Sequence, residues 1–369
     1  MIIFISIPWF APAYKAGGPI QSISNLIENY NENISYKIYC GNKDLDGQSL
    51  VNIKTNEWVT FSKNTDVYYS SLSSYSILKN EIKFIKPDVL FIIGLFSWHY
   101  NILPVLLKFA NKKILSVRGM LHPGALSQKS FRKKIFLSAL KILAVNKKLS
   151  FHATDATEEV YIKNIFGSDA KVYISSNFSK VFNNKISTPK NIGQLKLITV
   201  ALVSPMKNHL LVLQALKNCK ENIEYTICGP IKDEAYWQQC VEEIKTMPSN
   251  IIVNYVGEIN PVLVENELSK NHIFIMPSKS ENFGHAISEA LSCGMPVITS
   301  KFTPWNNLEN AGAGINVENN INSIQNAISY FASMDQNMFD SFKKSTLHYF
   351  QIKNEVDKKK ESYKVMFAK

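Results

Sequence analysis

Glu281 and Glu289 stand eight positions apart in SKSENFGHAISEALSCGMPVITS, residues 278–300, where the chain turns from an apolar run into a helical pattern and back. HIFIMPS before them reads as a buried strand, SENFG as the loop leaving its carboxyl end, and HAISEALSCG as a helix closed by Gly294. Gly284 lets the backbone approach a ligand closely, and the N–H groups of a helix starting near His285 offer a site for an anion or for sugar hydroxyls. Glu289 is expected about two turns into that helix. One carboxylate on the loop and one on the helix can accept hydrogen bonds from two separated polyols, such as a hexose and a ribose. The competing reading is that acidic residues near a helix start only complement its dipole.

Positioning such groups takes a sheet, and the chain alternates short apolar runs with helical periodicity almost throughout, as βαβ units do. MIIFISI, YKIYC, DVLFIIG, KKILSV, LSFHAT and AKVYIS are the strand candidates of the first half. After SKVFNNKISTPKNIGQ (179–194), polar and without period, the alternation restarts with LKLITVAL and runs to PVITS. This predicts an α/β protein of two doubly wound, Rossmann-like domains, 1–180 and 181–349, with a charged terminal helix near 350–369 that packs back on the first. The two face each other across a cleft at the carboxyl ends of their sheets, where ligands of open α/β sheets bind.

The chain has 369 residues, 46% hydrophobic and 19% charged, which places it among globular proteins of about two domains. Five scattered cysteines (Cys40, Cys219, Cys228, Cys240, Cys293) without a C-x-x-C pair fit a reducing cytosol. The apolar start MIIFISIPWFAPAY lacks a basic leader and is broken by Pro8 and Pro12, so it reads as a strand, and no run approaches the ~20 residues of a membrane span. The expected location is cytoplasmic. Of the net charge of +11, residues 1–180 hold 22 Lys+Arg against 12 Asp+Glu, and the rest 19 against 18. In SQKSFRKKIFLSALKILAVNKKLSF, Lys134, Lys141 and Lys148 recur at seven-residue spacing, with Phe136, Leu140 and Leu143 on another face. That pattern describes either a surface helix packed on its own sheet or a peripheral contact with an anionic membrane. No nucleic-acid recognition motif accompanies the charge.

PSKSENFGHAISEALSCGMPVITS closely resembles the E-x7-E signature of retaining family 4 glycosyltransferases of the GT-B fold. PAYKAGGPIQSISNLIENY, SVRGMLHPGALSQKSFRKK, HATDATEEVYI, ICGPIKDEAYWQQC and TPWNNLE resemble stretches of members that build bacterial surface polysaccharides. The resemblance implies that Glu281 contacts hydroxyls of the donor sugar, that Asn282, Phe283 and Gly284 line the donor, and that Glu289 holds the nucleotide ribose. The donor expected is a UDP- or GDP-sugar, a substrate rather than a cofactor, and the acceptor a glycan or a polyprenyl-pyrophosphate-linked sugar at the inner leaflet.

In ALVSPMKNHLLVLQAL, Lys207 matches the family's lysine and Asn208 follows it, but Leu202 stands where the family shows arginine. A fixed cation at Lys207 suits departure of a nucleoside diphosphate, because negative charge grows on the β-phosphate as the glycosidic bond breaks. A second cation is sought in Lys15, beside Gly17 and Gly18, or in Arg118; the two glycines are expected to form a flexible turn that admits phosphate. Arg118 and His122 are candidates for an acceptor or donor phosphate, with a structural loop histidine as the competing reading of His122 and of His99. The DLD at 44–46 reads as a polar loop rather than a metal site, and AGAGIN at 311–316 is no dinucleotide fingerprint. The resemblance implies metal-independent, front-face transfer in which Glu281 positions and stabilises and no protein carboxylate is a nucleophile. Two other readings share these residues: a nucleotide-sugar 2-epimerase on the same fold, and a catalytically silent partner protein.

Overall fold

The structure is a computed structural model describing residues 1–368, apart from 108–110, 124–125, 127–129, 143–146, 148 and 184–187. The chain divides into two compact units: Met1–Phe178 with Val356–Lys369, and Ser179–Glu355.

Unit 1 holds β1 (Ile2–Ser6), β2 (Ser35–Gly41), β3 (Trp58–Ser62), β4 (Thr65–Ser70), β5 (Val89–Ile93), β6 (Lys112–Ser116), β7 (Ser150–Ala153) and β8 (Val172–Ile174) in one sheet of order β3-β4-β2-β1-β5-β6-β7-β8. Its helices are α1 (Gly18–Asn29), α2 (Tyr75–Ile85), α3 (Leu103–Leu106), α4 (Ser130–Ile142) and α5 (Ala156–Phe166), with a π-helical turn at Trp98–Ile102. All pairings are parallel except β3 with β4. Successive side chains of β1 point to opposite faces: Ile3 and Ile5 join the core under α1, while Phe4 joins the core with Leu78 and Ile82 of α2. A strand buried on both sides must be apolar throughout, which is why β1 and β5 are legible as runs. The hairpin β3–β4 escapes that reading because its sequence, WVTFSKNTDVYYS, mixes polar and apolar residues at the sheet edge.

Unit 2 holds β9 (Gln194–Val200), β10 (Asn222–Cys228), β11 (Ile251–Gly257), β12 (Ile273–Met276), β13 (Val297–Ser300) and β14 (Gly314–Val317), all parallel, in the order β11-β10-β9-β12-β13-β14. Its helices are α6 (His209–Leu216), α7 (Glu234–Lys245), α8 (Val264–Ser269), α9 (His285–Ser292), α10 (Ile321–Ala332) and α11 (Gln336–Lys353). The end of AGAGIN is strand β14. In the stretch 179–194, Phe182 and Lys190 are anchored in unit 2. Phe182 is buried with its N–H on Ser292 Oγ at 3.1 Å, and the buried Lys190 donates from Nζ to the carbonyls of Ala332 (3.1 Å) and Met334 (2.9 Å).

The last helix, α12 (Val356–Phe367), returns to unit 1 and buries Tyr363, Met366 and Phe367 in its core. In α4, Leu137 and Leu140 are likewise buried in unit 1, so that part of the helix's apolar face is covered by its own unit; Leu143 and Lys148 lie outside the described residues. Among the described residues no helix is long and apolar enough to cross a membrane.

Candidate donor site in the second unit

In unit 2 the strand order reverses between β9 and β12, and the loops after these two strands hold the residues singled out above. In open parallel sheets such a switch point is where ligands bind. The loop after β9 folds back through the Lys207 N–H on Ser204 O (3.0 Å) and ends at Asn208, whose left-handed backbone (φ 65°) starts α6 without a side-chain cap. Asn208 spends its amide on the neighbouring loop, donating to Pro277 O at 3.2 Å, and the Lys279 N–H donates to Met206 O at 2.9 Å. These two bonds hold the loops side by side. The consequence is the central contact of the site: Lys207 Nζ lies 2.5 Å from Glu281 Oε1, with side-chain exposures of 21% and 10%.

Glu281 is steadied from behind, its N–H donating to Phe302 O at 3.2 Å. Gly284 then starts α9 in the left-handed region (φ 74°), where an added Cβ would lie 3.1 Å from Ile287 Cδ1. Trp305, from TPWNNLE, is buried and donates its Nε1–H to Phe283 O at 2.6 Å while meeting the Phe283 ring edge-on at 5.7 Å. The two segments therefore fix one backbone turn. Asn282 sits in that same turn, between Glu281 and Phe283. Glu289 is buried, but because α9 begins only at His285 it lies little more than one turn into the helix, not two.

Two residues here lay outside the sequence reading. Lys279 joins Asn208, Leu211 and Tyr236 around a cavity of about 400 Å³ beside the loop that holds Lys207. It is a further candidate for the cation missing at Leu202, and it lies in unit 2, whereas the chain's two arginines, Arg118 and Arg132, are in unit 1. His209 is buried, both ring nitrogens lack hydrogen-bond partners, and burial together with the charge of Lys207 pushes it down to about 3. It stands beside the lysine as a neutral ring. Only its place directly after Lys-Asn hinted at it.

Unit 1 distributes its candidates differently. Gly17 has a positive φ (70°), and Gly18 is already the first residue of α1, followed by Pro19. The DLD loop anchors this approach, since Asp44 Oδ2 accepts from the N–H of Tyr14 (3.0 Å) and Asp46 pairs with Lys15 Nζ (2.8 Å). Lys15 holds Asp46 below the usual carboxylate range. The guanidinium of Arg118 is turned inward: Nη1 donates to Asn177 Oδ1, Nε and Nη2 are out of solvent, and Tyr363 of α12 lies beside it. Arg118 itself adopts a left-handed backbone (φ 50°). The His122 ring packs edge-on against Tyr161 at 5.5 Å, and His99 is buried with Nε2 3.3 Å from the Tyr39 hydroxyl. Both histidines sit as packed rings. Among the described residues no group of three His, Cys, Asp or Glu is placed to hold a metal ion.

Residues 181–346 match the family described as glycosyl transferases group 1. Solved structures align over nearly the whole chain at low identity. Sucrose-phosphate synthase from Thermosynechococcus elongatus is 14% identical, covering 99% of this chain and 98% of its own, with a TM-score of 0.74. HepE of Anabaena, solved with UDP and glucose, is 13% identical at the same coverage with a TM-score of 0.70. WaaG, a glycosyltransferase involved in lipopolysaccharide biosynthesis, is 12% identical over 95% of both chains with a TM-score of 0.67. A search of curated protein sequences finds no match. The chain thus has the GT-B fold, and within it residues 181–346 match the glycosyl transferases group 1 model.

Proposed function

We propose that the protein is a retaining, metal-independent glycosyltransferase of family 4 that moves a sugar from a UDP- or GDP-sugar to a glycan or lipid-linked acceptor in bacterial surface polysaccharide assembly. The observation that carries this reading is the Lys207–Glu281 contact at the β9/β12 switch point, within the stretch that matches the glycosyl transferases group 1 model. A nucleoside diphosphate leaving a sugar needs a cation where charge develops and an acceptor for the sugar's hydroxyls. One lysine and one glutamate, held in register before the donor arrives, supply both at no cost of assembly during reaction.

The start of α9, which has no side-chain cap bond, adds backbone N–H groups for phosphate oxygens, and Glu289, one turn into that helix, takes the ribose. In this mechanism the acceptor hydroxyl attacks from the side the diphosphate leaves, its proton passes to a donor phosphate oxygen, and Glu281 orients the sugar. WaaG, and HepE solved with UDP and glucose, supply the analogy for donor and pathway. Between Asp88 and Asp155 the chain carries eleven Lys and Arg and no Asp or Glu, which favours a phosphorylated acceptor at the cytoplasmic face of an anionic membrane.

The test is thermal stabilisation by UDP, GDP, ADP and CMP, with and without magnesium, on wild type and Glu289→Ala. A ligand at ~100 times its dissociation constant adds about 2.7 kcal/mol, so one diphosphate is expected to raise Tm without metal and to do so less in the variant. If no nucleotide shifts Tm, the donor site is wrong and a catalytically silent protein is the better account. Conversion of the donor with no acceptor present would instead indicate a 2-epimerase.

A further inference from the structure

The sheet of unit 1 has its own switch point, between β1 and β5, and the loop after β5 is built to a purpose that the donor site does not use. From Trp98 to Ile102 this loop is a π-helical turn, closed by the Ile102 N–H on Ser97 O at 3.2 Å. Such turns are rare and concentrate at functional sites. This one is braced from every side. Asn101 Oδ1 accepts from the Ser97 N–H (2.9 Å) and its amide donates to Ile93 O (2.7 Å), while Ser6 Oγ donates to Tyr100 O (2.7 Å). Gly94 has no side chain to obstruct the clamp; a Cβ there would lie 3.3 Å from Asn101 Oδ1.

His99, Asn101 and Ile102 are buried by this arrangement, whereas Trp98 is 64% exposed. Its indole makes no hydrogen bond or ring contact among the described residues, and it is the one exposed tryptophan of five. Isolated apolar residues on a surface need no explanation. A rigid, irregular turn that holds one indole out at a switch point does need one.

We propose that Trp98 is a stacking platform for a pyranose ring of the acceptor glycan, in a sugar subsite of unit 1; this rests on the glycosyl-transfer reading above. A pyranose presents an apolar C–H face and a polar rim, which suits a flat indole held at a water-exposed edge. A lipid surface would call for further exposed apolar side chains on the same turn, and its other apolar member, Ile102, is buried. The unbroken basic stretch that begins after Asp88 encloses the turn and favours a sugar that carries phosphate on its carrier.

The experiment is acrylamide quenching of tryptophan emission in wild type and Trp98→Phe, with methyl glycosides and disaccharides of glucose, galactose, mannose and N-acetylglucosamine as probes. At least one sugar is expected to protect wild-type emission and to leave Trp98→Phe emission unchanged. With that sugar as acceptor, Trp98→Ala is expected to raise its KM on the order of thirtyfold at near-wild-type kcat, with nucleotide stabilisation unaltered. The proposal is overturned if no sugar protects, if protection is equal in Trp98→Phe, or if phosphatidylglycerol vesicles protect and sugars do not. Loss of nucleotide binding with sugar protection intact would sink the donor reading alone and leave Trp98 a sugar site.

Discussion

Lys207→Met and Glu281→Gln, made singly and together, probe the contact on which the donor site rests. With Nζ 2.5 Å from Oε1, two unit charges attract by roughly 7 kcal/mol at an effective dielectric constant of about 20, and dehydrating both groups offsets most of it. Exposed pairs are worth about 0–1 kcal/mol, whereas removing one partner of a buried pair costs about 3–5 kcal/mol. The side chains here are 21% and 10% exposed, close to the buried limit. Each single substitution is therefore expected to cost about 2 kcal/mol in urea unfolding without ligand, and the double substitution clearly less than the sum, since it leaves no orphaned charge.

The donor changes the accounting for one partner only. Once a diphosphate is bound, Lys207 has a second anion to face, so Lys207→Met should also lose most of the nucleotide stabilisation, and Glu281→Gln should retain it. In transfer, Lys207→Met is expected to lower kcat about a hundredfold or more, as removal of one preorganised charge from a transition state does. Additive single effects on stability, together with unchanged nucleotide affinity in Lys207→Met, would refute the reasoning. The pair would then be a surface contact with no share in the site.

Gly284→Ala forces a side chain into a left-handed backbone and toward Ile287, so it should cost about 1–2 kcal/mol in unfolding and weaken nucleotide binding; equal Tm and affinity would remove the glycine from the argument. Acid should destabilise the protein through three buried rings that stay neutral when folded: His152 and His209 are pushed down to about 3 and His272 to about 4, chiefly by burial. The unfolded chain protonates each near 6.5, so it binds more protons and stability falls as pH drops from about 6.5 toward 4, by up to ~1.4 kcal/mol per pH unit and ring. His272 accepts from the Lys196 N–H at 2.9 Å and lies 3.0 Å from Pro189 O, so His272→Gln should flatten the slope, and parallel curves of Tm against pH would contradict a neutral ring. A chain ending at Glu355 loses the fully buried Tyr363, Met366 and Phe367, each worth about 1.5–3 kcal/mol, and proteolysis should then digest residues 1–178 first; an intact unit 1 would show α12 dispensable.

The parts of this protein that the sequence discloses are those with short-range causes. β1, β5 and β12 are apolar runs because they are buried on both faces, and Glu281, Gly284 and Glu289 are legible because their placement depends on spacing within one loop and helix. What stays hidden depends on partners distant in the chain. The sequence displays Arg118 as a charge after a strand, yet Asn177 and the returning Tyr363 decide that it faces inward. Nor does spacing reveal that Lys207 meets Glu281, or that Trp305 pins Phe283.

One local signal separates the two kinds of helix. α5, α7, α10 and α11 begin at Asp155, Asp233, Asn320 and Asp335, whose side chains accept from the first-turn N–H groups. α1, α6 and α9 begin at Gly17, Asn208 and Gly284, all with a positive φ and none with a side-chain cap bond. A side-chain cap satisfies a first-turn donor from within the helix; at α6 that part is taken by the Tyr236 hydroxyl, which accepts from the Leu210 N–H at 2.8 Å, whereas at α9 no side chain caps the start. At the proposed donor site, the positive-φ residue before α9, rather than the lack of a cap bond alone, is the local mark of the helix start that meets phosphate, since α2 and α8 also begin without a side-chain cap bond.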